Sequence, residues 1–221
     1  MKTIKLNLFE FDELSEKAKE KTLEAFADFN VVDDWYQFNL ENFAALGKLL
    51  GLTMSVKEIY FRGFYSQGDG SGFSAQVDLA ALFNAIKTNE WAAEYPNTGL
   101  EFLLPLVSPG VLKLIAESKI DVVAHISKPR GYYGVSAKIT DNLPQRRARY
   151  IHVENELDKL ETWLQGFAEQ LNRFLYKSLE QEYDYLTSEE AIAESIKANE
   201  YLFTADGKSA TQLQQLAENG D

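Results

Sequence analysis

The stretch from about Ile151 to Tyr183 constrains this fold more than any other. Val153, Leu157, Leu160, Leu164, Phe167, Leu171 and Phe174 recur at steps of three and four, the spacing that aligns side chains on one face of an α-helix. At 3.6 residues per turn the pattern runs for about nine turns. An apolar stripe of that length needs a broad surface to cover it, so the rest of the chain must supply a sheet or several helices.

The preceding sequence supplies both. Residues 3–11 alternate apolar and polar, as a half-buried strand does. Asp12 to Phe29 places Leu14, Ala18, Thr22, Ala25, Phe26 and Phe29 on one helical face. A second helix, capped by Asp33 and ended by Gly51, turns Trp35, Phe38, Phe43, Leu46, Leu49 and Leu50 inward. From Ser55 the period changes to two. Ile59, Phe61 and Tyr65 oppose Tyr60, Arg62 and Phe64, and after the glycine-rich run 66–72 the alternation resumes at Phe73, Ala75 and Val77, which predicts a hairpin. Leu79 to about Trp91 reads as a helix, and 95–106 is irregular because it holds two prolines and Gly99. Pro109 opens a helix to about Ser118. A second hairpin follows: Ile120, Val122, Ala124 and Ile126 alternate, Lys128-Pro129-Arg130-Gly131 turns, and Tyr133, Val135, Ala137 and Ile139 alternate again. Beyond the long helix, Thr187 or Ser188 caps a helix to Ala198, Tyr201–Thr204 reads as a short strand, Asp206-Gly207 as a turn, and the last dozen residues are polar. The expected fold class is therefore α+β: an antiparallel sheet built from two hairpins, amphipathic helices mainly on one face, and a long C-terminal helix. One compact domain over 1–221 is expected, with a sub-boundary near 150 between an α+β core and an acidic helical part.

That sub-boundary rests on charge. Residues 1–50 carry ten acids and six bases, 51–150 nine and eleven, and 151–221 fifteen and five, together the net −12 of the chain. Such a balance disfavours direct binding to DNA or to an anionic membrane. No run approaches the roughly 18 apolar residues of a membrane span, and the N-terminus lacks a leader pattern, so a cytoplasmic location is expected. The chain has no cysteine and two histidines, His125 and His152. Disulfides, thiolate zinc sites and cysteine nucleophiles are thereby excluded, and no histidine pair has metal-ligand spacing. No Gly-x-Ser-x-Gly elbow or P-loop occurs. No catalytic residue, metal or cofactor is expected.

Two surfaces stand out as candidates for binding. The first is a ligand site on the hairpins. Ser66, Gln67, Gly68, Gly70 and Ser71 form a loop whose backbone N–H groups can converge on an anion, or simply a turn using glycine's positive φ. Arg62, Arg130, Tyr132 and Tyr133, with Tyr60 and Phe64, can stack and charge-pair a nucleotide if both hairpins present them on one face; otherwise they are ordinary sheet residues. The second is an acidic partner surface of Glu154, Asp158, Glu161, Glu180, Glu182, Asp184, Glu189 and Glu190, able to imitate a phosphate backbone or merely to solvate helices. Arg146, Arg147 and Arg149 form the only basic run, fit for phosphate, an acidic partner, or the carboxylates of the helix that follows.

Three segments, FDELSEKAKEK at 11–21 with DWY at 34–36, IYFRGFYSQGDG at 59–70 and ANEYLFTADG at 198–207, resemble a family of small bacteriophage and prophage proteins. Its members are mostly of unassigned function, and some are labelled antitoxin-like. The resemblance implies a viral or mobile-element setting. A histidine often follows the aromatic pair of the second hairpin in that pattern; here Gly134 follows Tyr132 and Tyr133. With the missing catalytic motif and the acidic surface, this leads to an expected non-catalytic protein that neutralises a basic or nucleic-acid-binding host protein, such as a defence nuclease complex of the CRISPR or restriction type. The alternative expectations are a module that sequesters a nucleotide-like anion at the glycine-rich hairpin loop, and, third, an antitoxin-like protein or an unrecognised enzyme.

Overall fold

The computed structural model describes residues 6–117, 119–143 and 151–211. Its elements confirm an α+β fold. By contact density the chain forms two compact units, Met1–Trp35 with Gln181–Asp221, and Tyr36–Glu180. The charge shift near residue 150 thus marks the start of the long helix rather than a unit boundary.

The central unit opens with α1's successor in chain order, the helix α2 (Gln37–Leu49), Gly51 ending it at φ 75; α1 itself (Glu16–Ala25) belongs to the terminal unit. The strands β1 (Leu52–Thr53), β4 (Ala75–Val77), β5 (Val122–Ser127) and β6 (Ser136–Asp141) form one antiparallel sheet in the order β1-β4-β5-β6. One face buries Leu52, Ala75, Val77, Ala124, Ile126, Ala137 and Ile139. The first hairpin, β2 (Ile59–Arg62) and β3 (Gly70–Phe73), is a separate two-stranded ribbon. The strand expected through Phe73, Ala75 and Val77 is continuous in sequence but changes partner at Ser74, pairing with β2 before it and with β1 and β5 after it. Helix α3 (Leu79–Thr88) is capped by Asp78, whose Oδ1 accepts the Ala81 N–H at 2.9 Å, and ends where Asn89 turns left-handed at φ 55. The short α4 (Trp91–Glu94) and α5 (Pro109–Ala116) follow.

Helix α6 (Ile151–Leu186) is the spine of this unit. Leu157, Leu160, Leu164, Phe167, Leu171, Leu175 and Leu179 form its buried line. Flanking that line, polar side chains each satisfy a backbone group of a neighbouring element. Glu156 accepts the Ser108 N–H at the start of α5 and pairs with Lys159 at 2.6 Å. Glu161 accepts the Ile139 N–H at 2.8 Å, and Gln165 accepts from Ala137 N at 2.7 Å while donating to Val135 O at 3.1 Å. These two side chains take the place of a further strand beside β6 and close that edge of the sheet. Trp163 donates to Leu103 O at 2.9 Å, Asn172 donates to Ser71 O at 3.1 Å, and Tyr176 donates to Gly63 O at 3.1 Å.

The terminal unit joins residues 6–35 to residues 181–211 among the described residues. Residues 3–5 of the expected strand over 3–11 lie outside the described residues; in the remainder, Phe9 makes a single antiparallel bridge to Phe203, and Phe11–Glu13 is a 3-10 turn. The expected strand at 201–204 likewise reduces to bridges at Phe203. Alternation there reflects burial around an aromatic cluster, not a ladder: Phe11, Phe26, Phe29, Tyr201 and Phe203 meet at ring-centroid distances of 5.4–6.4 Å. Thr22 donates to Ala18 O and to Gly207 O, both at 2.9 Å, tying α1 to the Asp206-Gly207 turn. Ser188 caps α7 (Glu189–Ala198) as expected, accepting the Ala191 N–H. In α2 the expected Asp33 cap is absent, since Tyr36 holds the N-cap position, and Phe38, expected inward, is 72% exposed. The helix starts three residues later than expected, and Phe38 falls in its outward-facing first turn.

Two outcomes test the spine. Replacing both Glu161 and Gln165 by alanine leaves buried-edge N–H groups unsatisfied, and urea denaturation should show a loss of about 1–3 kcal/mol for each group. The Lys159 ammonium and the Ser108 N–H hold the Glu156 carboxyl below the usual carboxylate range. A depressed carboxyl contributes stability that is present above the unfolded-state value and is lost as pH falls through the folded one. Glu156→Gln should therefore lower the melting temperature at neutral pH, and the difference from wild type should shrink as the pH drops below about 4.

Candidate functional site

The two hairpins touch at their ends because glycine lines one of them. A Cβ on Gly70 would lie 2.9 Å from the Tyr133 Cβ, and one on Gly72 would strike the Gly134 carbonyl. No side chain larger than hydrogen fits at either place. This approach sets Tyr60 of β2 and Tyr133 of the β5–β6 turn around Lys128. The lysine Nζ lies 5.4 Å from the Tyr60 ring centroid and 4.9 Å from that of Tyr133, within cation–π range of both. Its backbone N–H donates to Ser74 Oγ at 3.1 Å, at the residue where the first hairpin passes into the sheet. Lys128 was legible only as a turn residue; the signal for more was an amine bounded by aromatic residues on both hairpins.

Arg62 pairs in register with Gly70, and Arg130 lies two residues beyond Lys128. Both are exposed, as is Tyr132 at 63%. All seven ion pairs among the described residues use lysine, and neither Arg62 nor Arg130 enters one. Of the expected hairpin set, Tyr60 and Tyr133 meet around Lys128, and Arg62 lies opposite Gly70, whose backbone abuts Tyr133. Phe64 packs instead against Phe61 and Tyr176, at ring-centroid distances of 6.1 and 5.5 Å.

The glycine-rich loop contributes differently from the expected anion cradle. Asp69 Oδ2 accepts the N–H groups of Tyr65 at 3.1 Å and Ser66 at 2.7 Å. The loop's own carboxylate thus occupies two of the donors an incoming anion would use. Ser71 is 2% exposed and donates to Asn172 Oδ1 at 2.8 Å, so its hydroxyl anchors β3 to α6. Ser66, Gln67 and Gly68 stay exposed on the rim, with Gly68 at φ 92. Burial first, then the Glu180 and Asp69 charges, pushes the Tyr176 phenol up from its ordinary value, and the neutral phenol donates to Gly63 O.

The acidic candidates separate. Glu154, Asp158 and Glu161 line a cleft of about 510 Å³ with Asp141 and Lys138, but Glu161 is engaged by Ile139 N–H and Lys138. The outward face of α6 in the central unit is mixed, Asp158 and Glu169 alternating with Lys159, Arg173 and Lys177. Glu180 closes the central unit, while Glu182, Asp184, Glu189 and Glu190 belong to the terminal one. The terminal unit carries eighteen acids and seven bases, a net −11, against sixteen and fifteen, a net −1, in the central unit. His125 stands in register between Gln76 and Lys138 on the polar face of the sheet, and no group of three metal-ligating side chains occurs among the described residues. Arg146, Arg147 and Arg149 lie outside the described residues.

The close approach of the hairpins has a direct test. Gly72→Ala should destabilise the protein by about 1–3 kcal/mol, as overpacking does, and should change the tyrosine near-ultraviolet circular dichroism that Lys128→Met also alters.

No curated protein and no solved structure matches the chain. One family model, a domain of unknown function (DUF8835), matches residues 35–189. That span is close to the central unit, 36–180, with the hairpin cluster inside it. The chain belongs to the DUF8835 family.

Proposed function

We propose that this is a non-catalytic binding protein whose central unit holds a nucleotide-like anion at the meeting hairpin ends. The observation that carries this reading is the Tyr60–Lys128–Tyr133 stack, with Arg62 opposite Gly70 on the neighbouring strand and Arg130 two residues past Lys128, two exposed arginines that enter no ion pair among the described residues. Aromatic faces stack a base without demanding its identity. A guanidinium grips phosphate through two parallel N–H donors. Tyr132 and the rim residues Ser66 and Gln67 add hydroxyl and amide groups around it. The resemblance to phage and prophage proteins supports a setting in the bacterial cytoplasm, where such a protein would sequester a signalling nucleotide.

A second reading rests on the charge division. A folded unit of net −11 offers a surface for a basic host protein, such as a defence nuclease complex, or a toxin in the antitoxin-like case. Here the residues to reverse are Glu182, Glu189 and Glu190, with the α1 acids Glu16 and Glu20.

Thermal shift separates the two. A mono- or dinucleotide at a hundredfold excess over its Kd should stabilise by about 2.7 kcal/mol, roughly 5–10 °C for a protein of this size. Arg62→Ala with Arg130→Ala should abolish the shift without changing the unliganded melting temperature. If no nucleotide shifts it, and charge reversal on α1 and α7 releases an identified basic protein, the second reading stands in place of the first.

A further inference from the structure

Arg173 and Lys177 stand one turn apart on the exposed side of α6 and enter no ion pair among the described residues. With 34 acids in the chain, two adjacent cations left in this state are informative. Gln170 continues their row, the three residues falling at i, i+3 and i+7 on one helical face. Opposite them runs the segment Thr98–Glu101, and the groove between has a volume of about 490 Å³, with Phe174 and Leu100 forming apolar wall. Gly99, at φ 65 with open space where a Cβ would be, leaves the near bank unobstructed. Thr98 is turned inward: its Oγ1 takes the Leu100 N–H at 3.2 Å.

We propose that this groove docks an extended acidic segment of a partner protein. Four residues of helix place the two cations about 6 Å apart along the axis. An extended peptide repeats its side chains on one face at about 6.6 Å, so acids at alternate positions meet Arg173 and Lys177 together. The groove is open to solvent, whereas a small molecule needs a concave pocket that encloses most of its surface. A nucleic acid strand would bring continuous phosphate charge against Glu101 and a chain of net −12. A peptide can set a neutral residue there. The groove is independent of the hairpin cluster, since it uses neither the tyrosine stack nor Arg62 and Arg130.

The probe is a fluorescein-labelled peptide of alternating glutamate and threonine, read by anisotropy with the full chain. Binding at low salt should weaken at least tenfold at 0.5 M salt, as exposed charge pairing does. Arg173→Glu with Lys177→Glu should lower affinity at least tenfold, and Arg62→Ala with Arg130→Ala should leave it unchanged. Should the reversed variant not fold, Arg173→Gln with Lys177→Gln gives the same reading with the charge only removed. Peptide binding that is absent, or that ignores both substitutions, overturns the proposal. So does displacement of the peptide by pyrophosphate or oligothymidylate at lower concentration than by unlabelled peptide, which would assign the groove to phosphate instead.

Discussion

Helix α6 holds the central unit through two kinds of contact at once. Its leucine line removes apolar surface from water, which is strong but tolerant of sliding. Its flanking polar side chains are not tolerant. Glu156, Glu161, Trp163, Asn172 and Tyr176 each meet one backbone group, and Gln165 meets two, on α5, β6 and the residue before it, the 95–107 segment or the β2–β3 ribbon. A buried amide or carbonyl without a partner costs more than a formed hydrogen bond returns. The register between α6 and its surroundings is therefore specified by directional contacts, and the neighbouring elements inherit their positions from it.

The hairpin cluster depends on that arrangement. Asn172 and Tyr176 set the β2–β3 ribbon against α6, and the ribbon's glycines then admit the β5–β6 turn. Lys128 draws a tyrosine from each hairpin. Because the sheet and the ribbon exchange partners at Ser74, two hairpins that belong to different sheets still end side by side. The match to DUF8835 covers this whole assembly, whereas most of the acidic terminal unit lies beyond it. The chain thus carries a central unit of nearly balanced charge, which the family match covers, and a strongly acidic second unit.

Periodicity was a sound guide wherever one element buries one face. The three- and four-residue steps from Val153 to Phe174 give α6, and the alternations at Ile59–Phe61, Val122–Ile126 and Val135–Ile139 give strands. It misled at residues 6–11, the described part of the expected first strand, where alternation serves an aromatic cluster shared with Phe203, 192 residues beyond Phe11. It also misplaced Phe38, because the start of α2 is decided by chain entry from Tyr36 and not by an Asp33 cap. At the candidate site, Arg62, Arg130, Tyr132 and Tyr133 were legible from type and spacing. The occupation of the loop by Asp69 and the burial of Ser71 were not, since both depend on which backbone groups lie nearby in three dimensions.

The sequence by itself determined the α+β class, the long helix, the two hairpins, the absence of cysteine chemistry and the total charge, because these follow from local residue order and composition. Only the tertiary structure decided that Phe9, Phe11 and Thr22 meet Phe203 and Gly207, that the charge divides between two units, that α6 side chains close the β6 edge, and that Lys128 lies between two tyrosines. Each of those is a relation between residues far apart in the chain. Such relations are set by which buried polar groups find partners and by where glycine permits close approach, and neither can be read from neighbours in sequence.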